Sequence, residues 1–344
     1  MSGSLVVLRS GLHTTIQDFG RFGYQELGVP VAGALDFVGL RLANALVGNR
    51  PGEAALEINA LGPTLRVDAD SVRVAVVGPA RLAVTGPLGG DPRPLEVDRG
   101  HLLGRGDILA VGAVSGASAA YLAVAGGFAL TPVMGSLSTY ARAGIGPLGG
   151  RPLAEGTVLP LTDAHGGEEL TLSAPMDYGS GPVRVVPGPQ RDAFTDAALA
   201  TFLSAEYRVT NEADRMGLRL DGPPLAHRAG PDIVSDGVVT GCVQVPGDGK
   251  PIILLADHQT TGGYAKIATV ISADLPRVGR AVPGTPLRFQ AVTVAEAEAA
   301  RWALEARIDG LVAGLRRVAP TAGLDLAALY ACNLVSGMAD PAEE

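Results

Sequence analysis

The sequence predicts a mainly β protein with a few helices: two β-rich domains of barrel or sandwich type, followed by a C-terminal helix. Three observations carry that prediction. The 47 glycines and 25 prolines are spread along all 344 residues rather than gathered in one linker, which suits many short strands joined by tight turns. Short apolar runs recur between turn residues in both halves, including "VRVAVVG", "AAYLAVAGG", "PIILLAD" and "KIATVI". After Val292 the pattern changes, and Leu304, Ile308, Leu311 and Leu315 repeat at helical spacing.

Taken in order, Leu5 to Arg9 reads as a strand, and "SGLHTTIQDFGRFGYQELGVPVAGALD" as a long ordered loop. Asp36 can cap a helix running to about Leu46, because Phe37, Leu40, Ala43 and Val47 share one face and Gly48-Asn49 supplies a stop. That helix should lie on a sheet. From Ala54 to about Leu172 strands are expected at "ALEINA", "VRVAVVG", "DILAVG", "AAYLAVAGG", "TVLPL" and "LTLSA". The turn-rich "MDYGSGP" marks a boundary, which gives domains at 1–180 and 181–292 and a terminal segment at 293–344.

The second half is expected to hold a helix from Asp192 to Leu203 and strands at "EYRVT", "GLRLDG", "VVTGCVQVP", "PIILLAD", "KIATVI" and "TPLRF". Thr293 and Glu296 form a capping box for the last helix, which should pack on the barrel or a partner and lead into a loosely ordered acidic tail.

Composition excludes several function classes. A net charge of −8 without basic runs argues against nucleic acid or an anionic membrane surface and favours a small-molecule substrate or a protein partner. Cys242 and Cys332 make no disulfide framework and no zinc spacing, so a cytoplasmic setting is the simplest expectation. The opening "MSGSLVVLRSG" does not read as a signal peptide, and no apolar run is long enough for a spanning helix. His13, His101, His165, His227 and His258 never stand at metal-ligand spacing, so no metal is expected. "GIGPLGG" matches a dinucleotide fingerprint but lacks the following helix, and "GDGKP" lacks the first glycine and the hydroxyl of a phosphate loop.

Four polar clusters stand out. The first holds Gln17, Asp18, Arg21 and Tyr24 between glycines that let backbone approach a ligand. Asp214 and Arg215 precede a strand, and Gln244 lies on another near a turn. "ADHQTTGGYAK" inserts Asp257, Gln259, Thr260, Thr261, Tyr264 and Lys266 between two apolar segments, far more hydrogen-bonding chemistry than a hairpin needs. Together the clusters supply carboxylates for proton transfer, cations for an anion, and amides and hydroxyls to orient a planar amide-like compound. No nucleophile stands out.

These same segments, with "VVPGPQ", "ADRMGLRL", "SDGVVTGCVQVPGDGKPIILLADHQTTGGYAKIATVISADLPRVG" and "PGTPLRF", resemble the biotin-dependent carboxyltransferase family, which includes KipA, the C component of bacterial 5-oxoprolinase and the allophanate hydrolase subunit 2 domain. The resemblance runs from about Leu5 to Phe289. It implies two β-barrel-like domains of cyclophilin-like character and an obligate KipI-like B component. Its 5-oxoprolinase branch adds an A component and uses ATP, at the level of the complex, to open 5-oxoproline to glutamate. Two alternatives are a carboxyltransferase component that moves a carboxyl group from carboxybiotin to a urea-like substrate, and a regulatory binder of a KipI-like kinase inhibitor.

On that resemblance Asp214 is expected as an acid-base or orienting group. Arg215 and Lys266 are expected as anion contacts, Lys266 also as catalytic, and Gln17, Asp18, Arg21, Gln244, Asp257, Gln259, Thr260, Thr261 and Tyr264 as substrate lining. Asp214 stands where urea-carboxylating relatives look to have Asn, which favours the 5-oxoprolinase branch. His258 stands where relatives usually have Arg, and Ala265 where they often have Pro.

Overall fold

A computed structural model describes residues 3–163 and 167–318. His165, Cys332 and the acidic tail lie outside the described residues.

The first half forms two antiparallel sheets packed face to face. One runs, in spatial order, Val158–Pro160, Ser4–Arg9, Thr64–Asp68, Ile108–Val114, Ala80–Thr85 and Arg93–Leu95. The other runs His13–Gln17, Ala55–Asn59, Ala120–Val124, Ser71–Val77, Arg99–Gly104, Leu170–Thr171 and Arg316–Arg317. Strand periodicity decides which side chain meets which layer. Val72, Val74 and Val76 point between the sheets with Leu5, Val7, Leu65 and Leu109, while Ala75 and Val77 point the other way.

On that outer face lies the helix Phe37–Leu46, seated over the small residues Ala75, Ala119 and Ala123. The Asp36 carboxylate accepts from the amides of Val38 and Gly39, which satisfies two donors that a helix start leaves free. The C-terminal helix Val294–Ala313 carries the expected capping box and buries Leu304 and Ile308 against the same cluster. Arg41 on the first helix reaches Glu305 on the last at 2.5 Å.

The second half is one eight-stranded sheet in the order Pro286–Leu287, Tyr207–Val209, Gly217–Asp221, Ile252–Leu254, Cys242–Gln244, Lys266–Val270, Val183–Pro187 and Phe289–Ala291. Its two outermost strands are separated in the chain by Arg288 alone, so the sheet curls until its edges nearly meet. The fold is therefore mainly β with a barrel-like second half, as the sequence predicts. Phe202 stacks on Phe289 with ring centroids 4.4 Å apart inside that barrel. A two-stranded flap, Asp232–Gly237 paired with Thr261–Tyr264, stands beside it.

Three local expectations are corrected. His13–Gln17 is a strand paired with Ala55–Asn59 rather than loop, because the β-branched run Thr14-Thr15-Ile16 suits a buried pleat. The helix expected from Asp192 begins only after Thr195, whose hydroxyl accepts from the Ala198 amide. Phe194 before it is extended, and Arg191–Ala193 is a separate 3-10 turn. Thr261–Tyr264, expected as loop, is a flap strand whose pairing to Asp232–Gly237 supplies its backbone partners.

Candidate active site

A cleft of roughly 680 Å³ lies between the two halves. Its first wall carries His13, Asn59, Ser118 and Thr139; the facing wall carries Asp214, Met216, Leu255 and Pro283; Arg215 and Asp257 also line it. A second cavity of roughly 270 Å³ is lined by Gln244, Gln259 and Tyr264, and Arg142, Asp214 and Met216 border both. Four expected site residues that are distant in sequence thus line one space: Asp214, Gln244, Gln259 and Tyr264.

Arg215 is engaged by protein. Its guanidinium makes a fork to the Asp257 carboxylate at 2.9 Å through both Nε and Nη2, reaches the fully buried Glu57 through Nη1, and donates to the Gly33 carbonyl at 2.6 Å. Burial alone would lower its pKa, but Glu57 and Asp257 outweigh that and raise it. Glu57 is held in turn by the Tyr121 hydroxyl at 2.6 Å and the Leu35 amide at 2.9 Å. Arg215 and Asp257 come from the second half and Glu57 and Tyr121 from the first, so this network joins the halves beneath the cleft. Asp36 extends it, accepting from Tyr178 at 2.6 Å and from Arg280 at 3.1 Å.

Asp214 contrasts with Arg215 beside it. Its Oδ1 accepts from the amides of Met216 at 2.8 Å and Gly217 at 3.2 Å, a turn that fixes the side chain before the strand begins. Oδ2 has no hydrogen bond among the described residues and lies 3.8 Å from Arg142.

Gln244 lies beneath the first of the paired glycines, Gly262. Its side chain is buried, its Oε1 accepts from Gln259 at 3.3 Å, and its Nε2 has no partner among the described residues. A Cβ on Gly262 would fall 2.3 Å from that Nε2, so any larger residue there would push the amide aside. A buried amide nitrogen without a partner beneath the flap strand is a donor in want of an acceptor.

The first polar cluster lies deeper. Gln17 is buried, with Nε2 on Thr15 and on the Thr139 carbonyl at 3.0 Å each. Asp18 accepts from Gly20, Ser136, Leu137 and Ser138, stitching its loop to residues 136–138. Arg21 is buried against the Ser138 carbonyl, and desolvation lowers its pKa. None of the three lines either cavity.

Lys266 is buried to its tip, where Nζ bonds Asp236 at 2.6 Å and the Gly237 carbonyl at 3.2 Å, so its charge holds the flap. Thr260 accepts from Val238 through its carbonyl, and Thr261 is an exposed flap residue. His258 is buried with Nδ1 directed at the Gln259 carbonyl, and burial pushes its imidazole down.

Sequence reading missed Glu57, Tyr121, Thr139 and Arg142. Glu57 had a signal: a lone carboxylate inside the apolar "ALEINA" is too costly to bury without a partner. Arg142 had none, because a single arginine in a turn is ordinary.

The cleft between a sandwich and a nearly closed barrel defines a class of protein, and sequence comparison agrees. The family model described as "Carboxyltransferase domain, subdomain A and B" matches residues 27–291, and the chain belongs to that family. Within it, the C component of 5-oxoprolinase from Escherichia coli (strain K12) is 35% identical over 300 residues, covering 86% of this chain and 94% of that protein. The component of the same name from Haemophilus influenzae is 34% identical over 295 residues, covering 86% and 93%. The crystal structure of the K. lactis urea amidolyase superposes with a TM-score of 0.80 at 29% identity, covering 90% of this chain and 20% of that one.

Proposed function

We propose that this chain is the C component of an ATP-dependent 5-oxoprolinase, which opens 5-oxoproline to glutamate together with a KipI-like B component and an A component. The carrying observation is the near full-length similarity to the 5-oxoprolinase C component on both chains. The site geometry suits the substrate. Ring opening adds water at the lactam carbonyl, breaks its C–N bond and delivers a proton to the departing nitrogen. Asp214 Oδ2, free of hydrogen bonds beside both cavities, is the group to move that proton. Gln244 Nε2 is the donor for the lactam oxygen.

Neither of the two stretches that resemble nucleotide motifs fits a nucleotide. In the short turn Pro147–Gly150, Leu148 and Gly149 have φ of 55° and 69°, so no helix N-terminus faces a phosphate, and Lys250 is tied to Asp221 at 2.7 Å. No step through ATP is assigned to this chain. Arg215 acts in this reading by holding the two halves in register rather than by touching substrate, and Lys266 by holding the flap.

Carboxyl transfer to a urea-like substrate is the second reading, favoured by relatives named urea amidolyase, such as that of Saccharomyces cerevisiae at 30% identity over 16% of its length. The cleft has room for the ureido ring of carboxybiotin, which would supply the activated carboxyl group. Asn59 and the unpartnered hydroxyl of Thr139 would hold it.

The experiment is ATP-dependent glutamate release from 5-oxoproline, by this chain alone and mixed with its B-like and A-like partners. Activity in the full mixture is expected, and Asp214→Ala should lower it about 10²–10⁴-fold. A fall of less than about threefold would remove Asp214 from proton transfer. A stable but inactive complex would favour carboxyl transfer.

A further inference from the structure

We propose that Arg142 reads the carboxylate of the substrate, and that its charge gives the enzyme its preference for 5-oxoproline over a neutral lactam. The proposal rests on the 5-oxoprolinase reading above.

Three cationic side chains other than histidine line the two cavities: Arg142, Arg215 and Arg219. Arg215 is saturated by Glu57, Asp257 and the Gly33 carbonyl. Arg219 is paired with Glu212 at 3.2 Å. Among the described residues neither Arg142 nor Arg219 makes a side-chain hydrogen bond, but Arg142 is the more loosely held: its charge partner Asp214 is at 3.8 Å, outside hydrogen-bond reach.

Its mounting is firm. Arg142 sits on the 3-10 turn Ala141–Ala143, closed by Gly144 at φ 65°. The base of the turn is clamped by reciprocal backbone bonds between Tyr140 and Ile145, at 2.7 and 3.2 Å. The guanidinium is thereby presented at the border of both cavities.

The substrate has the matching layout. In 5-oxoproline the carboxylate-bearing carbon is bonded directly to the lactam nitrogen, and the lactam carbonyl is bonded to that nitrogen on its other side. A site for it needs a cation, a proton-moving group within a few ångströms of that cation, and an amide for the ring oxygen. Arg142, Asp214 and Gln244 supply these in that order. A guanidinium fork matches a carboxylate through two hydrogen bonds, which a point charge does not reproduce. Taking up the substrate carboxylate would also draw Arg142 away from Asp214, leaving that carboxylate free for proton transfer.

The test uses the complete complex and two ligands: 5-oxoproline, and 5-oxoprolinamide, which keeps the ring and removes the charge. KM and kcat are measured for the first, and the inhibition constant of the second as a competitor. Arg142→Gln should raise the KM for 5-oxoproline about tenfold or more, the worth of one charge-assisted hydrogen bond. The constant for 5-oxoprolinamide should stay where it is, so the preference collapses; Arg142→Lys should recover part of it. If Arg142→Gln keeps the wild-type preference, Arg142 is only a surface ion-pair partner and the proposal falls while the 5-oxoprolinase reading stands. If the wild-type complex opens no 5-oxoproline, both fall together.

Discussion

The network beneath the cleft and the flap beside it use the same chemistry, a cation against carboxylates, to opposite effect. Beneath the cleft, Arg215 is buried between Glu57 and Asp257 and receives a ligand for every face of its guanidinium. In the flap, Lys266 is equally buried but its partner Asp236 is half exposed, on a two-stranded ribbon paired only with itself. The first arrangement joins two hydrophobic cores, and breaking it strands a charge in apolar surroundings. The second ties down a light two-stranded element through a half-exposed carboxylate, and releasing that carboxylate would leave the buried Lys266 ammonium without its partner. Five residues, Asp257 to Thr261, connect the two regimes.

Arg215→Ala should break the comparison most sharply. It leaves Glu57 buried without its cation, which costs about 3–5 kcal/mol and should show as a large drop in the urea midpoint. A loss under about 1 kcal/mol would mean that packing alone joins the halves.

Gly262→Ala probes the flap. The added methyl meets the tip of the Gln244 side chain, so the stability cost should be small, about 1 kcal/mol, while the amide is pushed from its place beneath the flap. Activity should therefore fall by more than the stability change explains. Unchanged kinetics at normal stability would show that the flap does not position Gln244.

The smallest effect is expected at the joint between them. Burial lowers the His258 imidazole below its ordinary value of about 6.5, so its contribution to stability is complete above that pH and is lost as pH falls toward the folded value. Between pH 7 and pH 5, His258→Gln should reduce the loss of unfolding free energy by at most about 1.4 kcal/mol per pH unit. His101, also lowered by burial, should leave a residual slope. A variant whose slope equals that of the wild type would place His258 outside the titration.

Much of the fold was legible locally. The Asp36 cap, the Thr293 capping box and the strands at Val72, Ala120 and Lys266 follow from side-chain chemistry and period-two patterning within a few residues. One error fell where a distant partner decides. Thr261–Tyr264 becomes a strand because Asp232–Gly237 lies alongside, and nothing in "TTGGY" announces that partner.

The candidate site divides in the same way. The sequence by itself determined the mainly β class, the helix caps and the polar residues from which a site could be drawn. Only the tertiary structure decided which of them face a cavity. Asp214 and Arg215 are neighbours in the chain, yet one leaves an oxygen open to the cleft and the other is consumed by Glu57, 158 positions away. Whether a charged side chain is available depends on how many partners the fold brings within about 3 Å of it, and that number is set by contacts between remote segments.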